Sequence, residues 1–228
     1  MPRPPPIIVA HRGLHGVLPE NSLAAMTAAW DAGILWCECD VQISLDGVPI
    51  VIHDETLERT TTGRGRVAEL RLDQLGDLRL RDGGGNPTSH KLPALEELLA
   101  LAGPARRLLV ETKQPMGERI CEIARLVQRK NGMLHSFHRE DMLCASRATD
   151  GKCPIALLAD DFGELPGDFP GAIHIKHESF RAQDVYKNVG VWTVNELGHM
   201  ERLLGSNITM LITDFPLEAM RILGSRPL

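Results

Sequence analysis

The sequence predicts an α/β protein, a closed (β/α)8 barrel with a small insertion after the second strand, and three observations predict it. Eight short β-rich runs alternate with apolar-periodic helical patterns, an order that implies a parallel sheet. No linker divides the 228 residues, so one domain over 1–228 is expected, with the insertion at about 54–92. The composition, 43% hydrophobic and 24% charged, suits a globular chain of a size that buries about 70% of its surface without disulfide or metal staples. An open doubly wound sheet would show similar alternation; eight strands favour closure.

The strands are read, in order, at Ile7–Ala10, Leu35–Val41, Leu108–Glu111, Met133–Ser136, Ile155–Leu158, Ala172–Ile175, Val189–Val194 and Met210–Thr213. Each is a short run rich in branched apolar residues bounded by turn formers. Helical periodicity fills Leu23–Ala32, Ala94–Ala102, Glu118–Lys130, Glu196–Leu204 and Leu217–Leu223, several opened by Asn, Ser or Pro and closed by Gly. Pro49–His53 follows Asp46-Gly47, a hairpin turn pair, and is read as a short antiparallel extension. Residues 54–92 hold Leu-rich helical turns and the run Asp82-Gly-Gly-Gly-Asn-Pro, which lacks a P-loop Lys-Ser/Thr pair and is read as a flexible loop. Between Phe180 and Asn188 there is barely room for a helix.

A net charge of −5 leaves no electrostatic footprint for nucleic acid, although a local basic pocket can bind one phosphate. Five cysteines without a CxxC pair are read as reduced thiols of a cytoplasmic protein. The apolar run after the N-terminal prolines is too short for a signal sequence or a membrane span. With aromatics at 4%, no broad lipid-docking surface or stable membrane anchor is expected.

Polar residues gather where strands end, the active-site face of a barrel: His11 and Arg12, Glu38 and Asp40, His53, Glu111 and Lys113. Glu38 and Asp40, two apart on a strand, share one face, while Cys37, Cys39 and Val41 take the other. Buried like charges need something positive between them, either a hard divalent cation closed by Glu111 or an ion network with Arg12 and Lys113. His11 and His53 can exchange protons near neutral pH, and Arg12 and Lys113 can meet phosphate oxygens. Ser136, Phe137, His174 and Lys176 also stand at strand ends.

Ala10-His-Arg-Gly, Pro19-Glu-Asn-Ser, Glu38-x-Asp40, Asp46-Gly, His53-Asp54-x-x-Leu57-x-Arg59-Thr60, Glu111-Thr-Lys113, Ser136-Phe137, Trp192-Thr-Val-Asn195 and Thr213-Asp214-Phe-Pro216, in this order and spacing, resemble the glycerophosphodiester phosphodiesterases. The resemblance implies a TIM barrel holding Mg²⁺ or Ca²⁺, with Mn²⁺ a further candidate, at Glu38, Asp40 and Glu111. It implies His11 and His53 as the acid/base pair and Arg12 and Lys113 as phosphate contacts; we assign His11 as base and His53 as acid, an order that the sequence leaves open. Glu20 would hydrogen-bond within the site, and Trp192 and Asn195 would bind the substrate's glycerol or head group, the bland alternative being a core Trp and a helix-capping Asn. The implied substrate is a small glycerophosphodiester such as glycerophosphocholine or glycerophosphoethanolamine, cleaved to sn-glycerol 3-phosphate and an alcohol. The rivals are a related barrel hydrolase acting on lysophospholipids and a non-catalytic barrel that binds glycerophosphodiesters. The stretches from Glu111 to Ser136 and before Trp192 are shorter than the family pattern, which predicts a gap in the barrel wall.

Overall fold

The computed structural model describes residues 4–165, 167–181 and 188–225. Strand β1 (Ile7–Ala10), helix α1 (Leu23–Asp31) and strand β2 (Trp36–Ile43) open the chain, and β3 (Pro49–Val51) folds back on β2. A one-turn helix, α2 (Leu72–Leu75), and the strands β4 (Arg79–Arg81) and β5 (Pro87–Lys91) follow. The alternation resumes with α3 (Leu95–Leu101), β6 (Arg107–Thr112), α4 (Arg119–Arg129), β7 (Met133–Ser136), α5 (Arg139–Ala148) and β8 (Ile155–Ala159). It ends with β9 (Ala172–Lys176), β10 (Val189–Trp192), α6 (Leu197–Leu204), β11 (Met210–Thr213) and α7 (Pro216–Gly224).

Strands β2, β6, β7, β8, β9, β10, β11 and β1 pair in that order, every pair parallel, and the β1–β2 pairing closes the barrel. Alternation along each strand sorts residues between two cores. Cys37, Cys39, Val41, Leu108, Val110 and Leu134 point outward into the layer covered by α1, α3, α4 and α5. Val9, Trp36, Leu109, Met133, Ala156 and Met210 fill the barrel's interior. The interior turns polar beyond that plug, toward the C-terminal ends of the strands, where Glu38, Asp40, Glu111, His135 and His174 are all buried.

Among the described residues the barrel strands pair without a gap, β9 with β10 over four positions included. The stretch from Glu111 to Ser136 still houses the three turns of α4. Between β8 and β9 the chain makes only a 3-10 turn, Phe162–Glu164, yet the strands pair over four positions. There Phe162, Leu165 and Phe180 pack on the apolar cluster that a helix would otherwise cover. The expectation about a helix between Phe180 and Asn188 concerns residues 182–187, which lie outside the described residues.

Two features differ from the sequence reading. Helix α5 was not expected; its Arg139-Glu140-Asp141 opening leaves a short apolar stripe, yet Met142 and Ala145 are buried and the Asp141 carboxylate accepts the Met116 N–H at 2.7 Å. The Asp82 loop is no flexible excursion but the turn of the β4–β5 hairpin. Asp82 Oδ1 accepts the N–H groups of Gly84 and Asn86, both at 2.9 Å, and Gly85 supplies the left-handed φ of 82°. Under this hairpin the insertion builds a core of its own from Ile50, Ile52, Leu57, Val67, Leu75 and Leu80.

All five thiols are free, and Cys37, Cys39 and Cys153 are buried. Burial pushes Cys153 up to about 12, and pushes Cys37 and Cys39 well above the ordinary thiol range. A thiol reagent at pH 8 is therefore expected to label no more than Cys121 and Cys144 in the native protein and all five in denaturant; native labelling of Cys39 would contradict the outer core described above.

Candidate active site

The loop after β1 is shaped by backbone constraints. Arg12 takes the left-handed φ of 53°, rare for a side-chain-bearing residue. Gly13 follows with φ 83°, and a Cβ there would lie 2.7 Å from the carbonyl carbon of Ala25. This tight pass over α1 aims the Arg12 N–H at Glu38 Oε2, 3.0 Å away. It also brings the Arg12 guanidinium to 3.0 Å from Asp40 Oδ2. Asn21, likewise left-handed at φ 56°, clamps Asp40 from the side: its amide donates to Oδ2 at 2.8 Å and its carbonyl accepts the Asp40 N–H at 3.1 Å.

Parallel register supplies the neighbours. Asp40 on β2 pairs with Glu111 on β6, and Glu111 pairs with His135 on β7, so these residues form one inward row. Lys113 reaches Glu111 at 2.6 Å and Asp40 Oδ1 at 3.6 Å. Against burial, Arg12 and Lys113 hold Asp40 down at about 2. Burial and the Asp40 charge push Glu111 up. Glu38 Oε1, Asp40 Oδ1 and His135 Nε2 are buried without a hydrogen-bond partner.

Each candidate histidine is held by a carboxylate. His11 Nδ1 lies 2.6 Å from Asp214 Oδ1 and His53 Nδ1 lies 2.7 Å from Asp54 Oδ1. An ionised carboxylate can only accept, so both Nδ1 atoms carry the proton. The β2–β3 hairpin brings His53 back toward Asp40, and Gln42 Nε2 donates to the His53 carbonyl at 2.9 Å. Arg59 makes a two-pronged contact with Asp54 and another with Glu20, whose carboxylate also accepts from Arg12 at 2.9 Å. Asp214 in turn accepts from His15 at 3.0 Å and Asn195 at 2.6 Å. Burial would push His11 down, but the Asp214 hydrogen bond and the Glu38 charge outweigh it and raise it above the ordinary imidazole value.

These groups meet in a cleft of about 100 Å³ lined by His11, Arg12, Glu38, His53, Glu111 and Lys113, with Trp192 and Phe137 on the opposite wall. The two aromatic rings meet edge to face at 5.8 Å. Two groups of side chains could hold a cation among the described residues: Glu38 with Glu111 and His135, and His11 with His15 and Asp214. A carboxylate cluster with two orphaned oxygens, flanked by two bases and two cations, is equipped for phosphodiester chemistry.

The model of the glycerophosphoryl diester phosphodiesterase family matches residues 11–153. The chain belongs to that family. It is an enzyme, a phosphoric diester hydrolase of the glycerophosphodiester phosphodiesterase type, and that family generally depends on divalent cations. The chain is 38% identical, over 92% of its length and 94% of the other's, to a glycerophosphodiester phosphodiesterase of Caldanaerobacter subterraneus subsp. tengcongensis. Among solved structures it is similar to a phosphodiesterase of Oleispira antarctica in complex with the product sn-glycerol-3-phosphate, with 25% identity, a TM-score of 0.84 and coverage of 97% of this chain and 98% of that one. A structure from Silicibacter pomeroyi, at 23% identity over 97% and 94% of the two chains and a TM-score of 0.82, shares the fold.

Seven of the ten site residues singled out in the sequence line the enzyme's cleft, and Asp40 and Glu20 stand behind it, each paired with Arg12. Asn195 is the exception: both ends of its amide engage Asp214, one donating to Oδ2 and the other accepting the backbone N–H at 3.0 Å. It thus steadies the partner of His11; nor does it cap α6, whose N-cap is Glu196. Ser136 donates to the Thr112 carbonyl and is structural; Lys176 is exposed at the end of β9. Asn21, Asp54, Arg59 and Asp214 occur inside the sequence motifs but receive roles only from their contacts, and His15 and His135 carried no signal beyond being histidines near strand ends.

Asp214→Asn replaces the ionised acceptor that raises His11 with a neutral amide, weakening the upward push and leaving the downward push of burial. The His11 ring-proton titration, followed by NMR in chelator-treated protein, is expected to move to lower pH; an unmoved midpoint would assign the upward push to Glu38 alone.

Proposed function

We propose that the substrate is a small, water-soluble glycerophosphodiester such as glycerophosphocholine or glycerophosphoethanolamine, hydrolysed to sn-glycerol 3-phosphate and the free alcohol. The observation that carries this reading is the pair of buried oxygens on Glu38 and Asp40 without a hydrogen-bond partner, beside a cleft that Glu38 lines together with two carboxylate-held histidines and two cationic side chains. The sn-glycerol-3-phosphate bound in the Oleispira antarctica relative supports the glycerol half of the assignment. A second cleft of about 450 Å³, lined by His15, Glu20, Arg59 and the 83–85 turn, adjoins through the Arg12–Glu20 pair and offers polar space for a head group.

Glu38, Asp40 and Glu111 would hold the divalent cation, Mg²⁺, Ca²⁺ or Mn²⁺. When bound, that ion supplies positive charge to a non-bridging phosphate oxygen. Arg12 and Lys113 then meet the remaining phosphate oxygens, and the planar guanidinium can engage two of them. One histidine takes the nucleophile's proton at Nε2 while the other gives its Nε2 proton to the departing oxygen. We assign His53 as the acid and His11 as the base, and the greater exposure of His53, 33% against 17% for the His11 side chain, supports that order. Asp214 and Asp54 hold the two rings in the tautomer that leaves Nε2 for the substrate. Trp192 and Phe137 form the wall against which the glycerol carbons lie.

No described helix is long and apolar enough to cross a membrane. The five free thiols, three of them buried, support a cytoplasmic location.

The test is release of glycerol 3-phosphate from glycerophosphocholine by chelated enzyme with Mg²⁺, Ca²⁺ or Mn²⁺ restored. Metal-restored release is expected; release from lysophospholipid alone would replace the substrate assignment. His53→Ala is expected to lower turnover by roughly 10²-fold or more with cation affinity nearly unchanged, and normal turnover would remove His53 from the chemistry.

A further inference from the structure

The residue in the polar row that the function has not absorbed is His135. The register that sets Asp40 beside Glu111 sets Glu111 beside His135, and all three side chains point into the barrel. His135 is 2% exposed, yet its Nε2 has no hydrogen-bond partner. The nearest carboxylate oxygen is Glu38 Oε1 at 3.8 Å, too far for a hydrogen bond and itself partnerless. One ligand atom from each of Glu38, Glu111 and His135 lies within 4.8 Å of the others, a spread that one central ion can draw together. Buried polar atoms facing each other across such a gap without a partner are costly unless something else satisfies both.

The other side of the ring is fixed. His135 Nδ1 stands 3.1 Å from Nδ1 of His174, a fully buried residue. At that distance one of these two ring nitrogens donates to the other. His174 has its place because residue 190 is glycine: a Cβ there would lie 2.6 Å from the His174 ring. Trp192 Nε1 donates to the His174 carbonyl at 3.0 Å and fixes the strand behind it. A histidine whose one nitrogen is anchored and whose other nitrogen looks into a carboxylate cluster is arranged as metal-bound histidines are.

We propose that His135 Nε2 is a nitrogen ligand to the cation held by the Glu38, Asp40 and Glu111 cluster. The site is then mixed nitrogen and oxygen, and it prefers a borderline transition ion such as Co²⁺ or Zn²⁺ to the harder Mn²⁺, Mg²⁺ or Ca²⁺, because imidazole adds little affinity for hard ions. This rests on the cation reading of the three carboxylates given above.

The experiment loads Mn²⁺ into the chelated full-length enzyme and reads directly bound nitrogen by pulsed electron spin resonance. Mn²⁺ binding with a ¹⁴N coupling that changes on ¹⁵N-histidine labelling, and that is lost in His135→Gln, is expected. His135→Gln should also weaken Co²⁺ roughly 10-fold or more while Mg²⁺ affinity, measured by calorimetry, moves little. Bound Mn²⁺ without nitrogen coupling in the wild-type protein overturns the proposal and leaves the carboxylate site standing; that measurement needs no variant to fold. A coupling that survives His135→Gln, or that survives Glu38→Gln with Glu111→Gln, assigns the ion to the His11, His15 and Asp214 group and overturns it as well. Failure of Mn²⁺, Mg²⁺ and Ca²⁺ alike to bind overturns the proposal and the cation reading together.

Discussion

Three carboxylates, Glu38, Asp40 and Glu111, are buried at the open end of the barrel on adjoining strands, and the surrounding structure answers that one electrostatic constraint. Charges withdrawn from water cost several kcal/mol each unless paired, and like charges at close range add to the cost. The chain meets it with a strained backbone at Arg12 that delivers both an N–H and a guanidinium, with Lys113 between Glu111 and Asp40, and with the Asn21 amide. Two carboxylate oxygens still have no partner. A core built for stability alone would have no reason to leave them so, and on the function proposed above they are the seat of a cation.

A second layer of pairing surrounds this center. Asp54 and Asp214 lie well below the ordinary carboxylate range: for Asp54 the Arg59 contact leads, with His53 adding to it, and for Asp214 the His11 and His15 hydrogen bonds overcome its burial. Both stay ionised through the working pH range and keep their histidines oriented. Arg59 joins Glu20 to Asp54, which couples the loop after β1 to the insertion. The insertion is thereby part of the cleft's wall, supported by its own apolar core.

Much of this was legible in the chain. Alternation specified a parallel sheet, and the count of eight strands favoured closing it into a barrel over an open doubly wound sheet. Glu38 and Asp40, two apart, had to share a face, and His11, His53, Glu111 and Lys113 fell at strand ends. Helix α5 escaped because its opening charges hide a stripe that only packing on β7 and β8 makes helical. The Asp82 hairpin escaped because a glycine run reads as a flexible loop until its side-chain hydrogen bonds are known.

The sequence by itself determined the eight barrel strands, most of the helices, the family and the residue types at the barrel's mouth, since these follow from local periodicity and from motif spacing along the chain. The tertiary structure alone decided partnership. That Asp214 belongs to His11, 203 residues away, that Asn195 serves Asp214 rather than the cleft, and that His135 faces Glu38 across a gap all depend on strand register and barrel closure. Register is a relation between distant segments, and a one-residue slip would turn each of these side chains to the opposite face.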